Sequence, residues 1–445
     1  MQYIYLMYEI EKREFLSRIF LINEFFKISR NATKIRLFQH TELAKIAMVS
    51  PPGVVILKSC PDSIFPYVKL LKIRGFKILL FQEEGIHYTN SQVDTVVFSS
   101  RCALLVDKYL AWHLFDFNVA KSLSIPIDRI SIIGNTRFEL PRIMLKLGAK
   151  PPTDRLRILI LENFTSDNLY KLYKPIRKQT KKNEVHNLAI EVSRVHADNI
   201  FYNRQIYQEL YKILLSAGID FRVRGYTVGV ETTKNNSLRI VKDGHSNILE
   251  SLYDRNVVLH YGSTAGLEAI YFGRVNVTLT SPGTIPIDNR TIDTSLHFSK
   301  IDELVDFLRK LNLDQITTIN IDQQESVYKN YGTRFDNLNS TSLLIEEINL
   351  LLSQVDNTKS WSWFHFHVLG VTLKLYFIRK ILNIIAFYFL VFSNIKNIKV
   401  QKANPISYPA IIKTFRLLGV NPPIIKIQIA PNKKSVVFSN QDLLN

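Results

Sequence analysis

Cysteine is nearly missing from this chain: Cys60 and Cys102 are the only two in 445 residues. Two thiols exclude a disulfide framework and fit a reducing compartment, and both read as buried structural thiols. Heptad runs, zinc-type ligand spacings and short internal repeats are missing too. No Gly-Lys-Ser/Thr follows the Gly262-Ser-Thr-Ala-Gly266 turn, which argues against a P-loop. That turn is no nucleophile elbow either, because serine is not its central residue. The start, Met1-Gln-Tyr-Ile-Tyr-Leu-Met-Tyr8, lacks the basic-then-apolar layout of a signal peptide and reads as a first buried strand. Acidic residues nearly vanish near the end. From Trp361 onward, 11 Lys or Arg stand against Asp442 alone, so this stretch supplies +10 of the formal net charge of +18.

What is present is a globular composition, 46% apolar and 22% charged, in a chain long enough for two or more domains. A positive field attracts anionic partners, nucleic acid or lipid. The final stretch is also apolar and aromatic, which favours lipid. Ile381 to Phe392 holds one polar residue, Asn383, but its 12 residues fall short of the ~20 that a bilayer span needs. Extending it back to Val368 brings in Lys374, Arg379 and Lys380. Arg379, Lys380, Asn383 and Asn394 share one helical face, with Lys374 opposite. The favoured reading is an interfacial helix with basic flanks; a helix packed on the domains and a true span are the alternatives. His365 and His367 read as interfacial or packing residues. Pro409 to Asn445 gives no placement.

Apolar runs alternate with helical patterns over residues 1–150. Strands are expected at Val54–Leu57, Phe76–Phe81, Asp94–Phe98 and Arg129–Ile133, with a helix from Ser63 to Leu71 stopped by Gly75. A second series follows Pro151-Pro152. It has strands at Leu156–Leu161, Asp220–Arg224, Leu238–Val241, Val257–Leu259 and Val275–Leu279, and helices over Ala189–Ala217 and Ser299–Leu311. Lys171–Glu184 reads as an exposed insertion. The fold class expected is α/β, with two Rossmann-like domains facing a cleft and a C-terminal basic, apolar helical extension. The domains are 1–150, 151–345 and 346–445.

The most informative stretch is His260-Tyr-Gly-Ser-Thr-Ala-Gly-Leu-Glu-Ala269, a strand end, a polar turn and a helix start. Ser263 and Thr264 offer hydroxyls, and the turn offers backbone N–H groups, to an anion; alternatively they only cap the helix. Glu268 either accepts hydrogen bonds from a sugar or ribose or is an ordinary surface residue. Near the start, Glu9 and Arg13 follow the first strand. Glu9 is a candidate general base and Arg13 a candidate clamp for carboxylate or phosphate; the alternative is a charged first helical turn. Glu83 and Glu84, followed by Gly85, sit at a strand end suited to acid–base work, with His87 as a second candidate. Arg137 can bridge to phosphate or carboxylate, or pair with Glu139. Arg222 and Arg224 lie on one side of a strand and can neutralise a leaving phosphate. Glu231 is a weaker neighbour.

Four blocks together resemble the bacterial surface carbohydrate (surface polysaccharide) biosynthesis proteins, which are similar to two-domain GT-B glycosyltransferases. They are Glu9–Arg18, Gln82-Glu-Glu-Gly85, Gly134-Asn-Thr-Arg-Phe-Glu139, and His260–Ala269 with Gly273. The resemblance spans roughly residues 3–340. It implies that Ser263, Thr264 and Glu268 bind the donor nucleotide, and that Glu9, Arg13 and Glu84 line the acceptor side. Related enzymes using cytidine-monophosphate-activated ulosonic acids carry Arg-x-His-Pro before the donor block; here that place reads Arg222-Val-Arg-Gly-Tyr226.

The expected function is therefore a glycosyltransferase moving a sugar, such as Kdo from a CMP-activated donor, onto a surface polysaccharide or lipid-linked precursor. The expected setting is the cytoplasmic face of an anionic membrane, with no metal or other cofactor. Its rivals are a teichoic-acid-type alditol-phosphate transferase, a nucleic-acid-binding protein, for which no motif is present, and a catalytically dead nucleotide-sugar scaffold.

Overall fold

The computed structural model describes residues 1–8, 11–29, 31–81, 100–122, 124–148, 151–162, 202–225, 241, 243, 247–282, 292–331, 339–355, 425–429 and 435–440. Its strands are β1 (Gln2–Tyr8), β2 (Thr33–Gln39), β3 (Val54–Leu57), β4 (Lys77–Phe81), β5 (Lys108–Ala111), β6 (Ile130–Ile132), β7 (Arg157–Glu162), β8 (Asp220–Gly225), β9 (Val257–His260), β10 (Val275–Leu279), β11 (Leu296–Phe298), β12 (Ile425–Ile429) and β13 (Ser435–Asn440). The helices are α1 (Glu11–Ile28), α2 (Leu43–Val49), α3 (Phe65–Ile73), α4 (Ser100–Ala103), α5 (Leu114–Ser122), α6 (Thr136–Lys146), α7 (202–216), α8 (Ile248–Leu252), α9 (Ala265–Tyr271), α10 (Ile301–Lys310), α11 (Ile316–Tyr331) and α12 (Ser340–Ser353).

Two sheets make two lobes with a cleft between them, a GT-B-like arrangement. The first sheet runs β12-β13-β2-β1-β3-β4-β5-β6 and the second β11-β10-β9-β7-β8. Strands β1 to β6 are mutually parallel, as are β7 to β11. Each sheet is doubly wound, with its order reversing between β1 and β3 in one and between β7 and β9 in the other. Such switch points open a crevice at the carboxyl ends of the strands, where ligands bind.

Period-2 alternation buries both faces of the first sheet. Ile4, Leu6, Tyr8, Val54, Ile56, Leu79 and Phe81 pack on the side of α1, while Tyr5, Met7, Val55, Leu57, Ile78 and Leu80 pack on the other side with α2 and α3. Gly75 stops α3 in a left-handed conformation, φ 79°, which lets Phe76 N–H donate back to the carbonyl of Leu71. Helix α10 shows the opposite economy: Leu304, Val305 and Leu308 are buried, with Asp302 and Glu303 in its first turn and Arg309 and Lys310 in its last.

The first core continues across the lobes into Leu249, Leu252, Leu267, Ile270 and Tyr271 of the second. Trp112 meets Phe138 edge-on at 5.4 Å, and Phe138 meets Tyr271 at 5.5 Å. Although it follows the second sheet in the chain, α12 crosses back to pack on α1, α6, β3 and β4. Glu139 fixes its start by accepting the Thr341 N–H and hydroxyl; burial raises the Glu139 pKa, opposed by those bonds.

One expectation is corrected. Residues 425–440 belong to the stretch read as a helical extension, yet they hold two strands. Ile425-Lys-Ile-Gln-Ile429 alternates apolar and polar side chains, a strand signal, and β13 pairs antiparallel with β2. Asp94–Phe98, Lys171–Glu184, most of Leu238–Val241 and the aromatic, basic stretch from Trp361 to residue 424 lie outside the described residues.

Candidate functional site

The second switch point is built by β9 and the turn after it. His260 ends the strand fully buried, then Gly262 turns the chain at φ 58°, and Gly262, Ser263 and Thr264 are half-buried at the rim. The hydrogen bonds close part of the amide cradle expected at this turn. Ser263 N–H donates to His260 Nδ1 at 3.0 Å, Ala265 N–H to Ser263 Oγ at 3.3 Å, and Gly266 N–H to the Ser263 carbonyl at 2.9 Å. Three of the turn's amides are thus taken internally, while the Ser263 hydroxyl hydrogen and the Thr264 hydroxyl, whose side chain caps nothing, stand beside the remaining amides of Gly262 and Thr264.

His260 opens the stretch that the resemblance makes a donor site, yet it does not face a ligand. Both its ring nitrogens are engaged internally, Nδ1 by Ser263 and Nε2 by Asn276 Oδ1 at 2.6 Å. It shapes the turn from beneath. Burial lowers its pKa to about 4, against the opposing pull of the Asn276 bond, so the ring is neutral near pH 7.

Arg137, a candidate bridge to phosphate or carboxylate or a partner for Glu139, pairs instead with Glu268, a candidate ligand for a sugar or ribose. Arg137 Nη2 stands 3.0 Å from Glu268 Oε1, and Arg137 Nε donates to the same oxygen at 3.2 Å. The pair is nearly sealed from solvent, at 2% and 4% side-chain exposure. Arg137 opens α6 just beyond β6, where Gly134 (φ 77°) turns the chain and Asn135 Oδ1 accepts the Arg137 N–H. Glu268 sits in the first turn of α9 just beyond β9. The pair thus joins the carboxyl ends of the two sheets. Glu268 Oε2 is buried with no hydrogen-bond partner among the described residues, and so is Asn135 Nδ2. Such atoms are rare in folded proteins and call for an explanation.

Arg222 and Arg224 point to one side of β8, but carboxylates hold both. Arg224 Nη1 pairs with Asp243 at 2.8 Å and donates to Ser251 Oγ at 2.8 Å; Arg222 pairs with Asp254 at 3.5 Å. They brace the sheet edge.

At the first switch point, Lys58 after β3 and Glu14 on α1 form a buried ion pair at 2.6 Å. Lys58 stood out in no sequence pattern. Arg13 lies in the first turn of α1, its side chain outside the described set, and Glu9, Glu83, Glu84, His87 and Glu231 also lie outside it. Among the described residues, no three His, Cys, Asp or Glu side chains gather to hold a metal ion. No described helix is long and apolar enough to cross a membrane.

The architecture defines a class, the two-lobed GT-B-like fold. No protein-family model matches the chain, and no curated protein matches it in sequence. Among solved structures, the chain is similar to the UDP-GlcNAc 2-epimerase from Neisseria meningitidis bound to UDP-GlcNAc, with a TM-score of 0.50 and 13% identity over 79% of this chain and 100% of that one. It is similar to the wall teichoic acid polymerase TagF with a TM-score of 0.50 and 11% identity, over 79% of this chain and 89% of that one. At such identities the likeness is one of fold.

Proposed function

We propose that the protein is a glycosyltransferase of surface-glycan biosynthesis, moving a sugar from a nucleotide-activated donor to a glycan or lipid-linked acceptor. The observation that carries this reading is Glu268 Oε2, a buried acceptor without a partner among the described residues, at the seam where the carboxyl ends of the two sheets meet. A ribose or sugar hydroxyl satisfies it, and the Ser263 and Thr264 hydroxyls at the same switch point donate to the donor phosphates. Two GT-B-like solved structures, one of them bound to UDP-GlcNAc, support a nucleotide-activated substrate by analogy of fold.

In this reading, a first-lobe carboxylate, Glu84, Glu9 or Glu83, takes the proton from the acceptor hydroxyl as that oxygen attacks the anomeric carbon. The bond to the nucleotide phosphate breaks in the same step. Hydrogen-bond donors aimed at the leaving oxygens stabilise the developing charge. Packing of the lobes around the seam excludes water that would hydrolyse the donor.

The basic, aromatic stretch after α12 would hold the enzyme on anionic lipid near its acceptor. Helix α12 packs on the first lobe and β12 belongs to the first sheet, and since these elements flank the stretch, this supports an acceptor-side attachment.

The test is product formation from CMP-, CDP-, UDP- and GDP-activated donors with membrane acceptor. A sugar transferred by the wild type and not by Glu84→Ala supports the reading. Transfer of an alditol phosphate from a CDP donor replaces it with the phosphotransferase alternative.

A further inference from the structure

Beneath the Ser263–Thr264 turn runs a buried chain of polar groups. Because Ser263 N–H donates to His260 Nδ1, that nitrogen carries no proton; the neutral ring then holds its proton on Nε2, and Asn276 presents the oxygen this tautomer requires. Asn276 is itself clamped. Its N–H donates to Gln323 Oε1 at 2.9 Å, and Gln323 Nε2 donates to its carbonyl at 2.5 Å, an exchange that mimics a strand partner and ties β10 to α11. His260 and Asn276 are fully buried and Gln323 nearly so. Gly266 leaves the room they need: a Cβ there would overlap His260 Nε2 and Asn276 Oδ1. A network this deep serves packing less well than apolar side chains would, unless it fixes something at its exposed end.

We propose that Asn276 and Gln323 are positioning residues, which hold His260 in its Nε2–H tautomer and thereby set the Ser263–Thr264 turn against the donor phosphate. The proposal rests on the donor reading above and deepens it. Protonation of His260 would place a hydrogen on Nδ1 opposite the Ser263 N–H and push the turn open. Among the described residues, the neighbouring carboxylates lie on β7, α9 and α11. Glu162 at the end of β7 accepts the Tyr211 hydroxyl at 2.6 Å, Glu268 on α9 is held by Arg137, the other residues of β10 are uncharged, and Asp322 and Glu325 flank Gln323 on α11.

Nitrogen-15 NMR of His260 in the ligand-free protein reads the tautomer directly. The Nε2–H form between pH 5.5 and 8 is expected, and the Nδ1–H form overturns the proposal without any variant. Asn276→Asp keeps an acceptor but adds a charge that lifts the His260 pKa toward neutrality. Its affinity for whichever of CMP, CDP, UDP or GDP binds the wild type, taken as a ratio to wild type, then falls at least about tenfold as pH drops from 8 to 5.5. A flat ratio while NMR shows His260 titrating overturns the positioning role and leaves the donor reading intact. Absence of nucleotide binding by the wild type removes the donor reading, and the proposal with it. If Asn276→Asp does not fold, Gln323→Ala carries the test: faster exchange of the His260 Nε2 proton together with weaker nucleotide binding supports the proposal, and no change in either overturns it.

Discussion

Arg137 and Glu268, 131 residues apart in the chain, form an ion pair that joins the carboxyl ends of two separate sheets. Its net contribution to stability is small, because two desolvated charges regain little more than they lose. Arg137→Ala leaves Glu268 buried and uncompensated, and should cost about 3–5 kcal/mol in urea unfolding. The double variant Arg137→Leu with Glu268→Leu should recover most of that stability and still fail to bind nucleotide. Nucleotide binding by a stable double variant would detach the pair from function.

The pH dependence of folding should carry the mark of His260. Its folded pKa is about 4 against an ordinary 6.5, so the unfolded chain takes up a proton first as pH falls. Its contribution is complete above pH 6.5 and is lost as pH drops from 6.5 toward 4, roughly 3 kcal/mol at about 1.4 kcal/mol per pKa unit. Subtracting the stability profile of His260→Gln from that of the wild type should reveal a rise with pH across this window. A flat difference would show that His260 is solvated in the folded protein.

Gly266→Ala should be among the most damaging single-methyl changes in the second lobe. The added Cβ meets His260 and Asn276 in a buried polar cluster with no flexible end to yield. A loss of about 1–3 kcal/mol is expected, the range for overpacking, seen as a lowered Tm. A Tm equal to wild type would mean that the cluster is loosely packed.

Ser263→Ala with Thr264→Ala should weaken nucleotide binding by about tenfold or more, since two outward hydroxyls each contribute roughly 0.5–1.5 kcal/mol. The fold should lose little, about 1 kcal/mol, through the Ala265 N–H that Ser263 Oγ now accepts. Calorimetry on the variant checks the first figure and thermal unfolding the second.

Much of the fold was legible because burial writes itself into apolar runs. Val54-Val-Ile-Leu57 and Ile158-Leu-Ile-Leu161 are buried on both sheet faces, so they read as strands and are strands. Strand β2, Thr-Lys-Ile-Arg-Leu-Phe-Gln, escaped notice because Lys34 and Arg36 interrupt it. Strand β13 joins the sheet through β2, about four hundred residues earlier, and β12 joins only through β13; no local pattern encodes that docking. The site was legible only as residue types. Sequence marks Arg137, His260 and Glu268 as chemically capable, but it cannot show that Arg137 and Glu268 neutralise each other or that Asn276 occupies the second nitrogen of His260. Both facts arise from contacts between strand ends that only the assembled sheets create.

Removing everything after Trp361 would also remove β12 and β13 from the first sheet, so attachment is better tested by replacing residues 361–400 with a Gly/Ser linker. The replaced protein should keep its fold and no longer sediment with anionic vesicles. Unchanged sedimentation would place the lipid-binding surface elsewhere.

Calorimetric titration of CMP, CDP, UDP and GDP into wild type and Glu268→Gln tests the central claim most directly. One nucleotide should bind the wild type, and its affinity should fall by at least about tenfold in Glu268→Gln, the loss of a charge-assisted bond to a buried carboxylate. Equal affinity in the two proteins, or no binding of any nucleotide to the wild type, would contradict a donor site at the seam between the lobes.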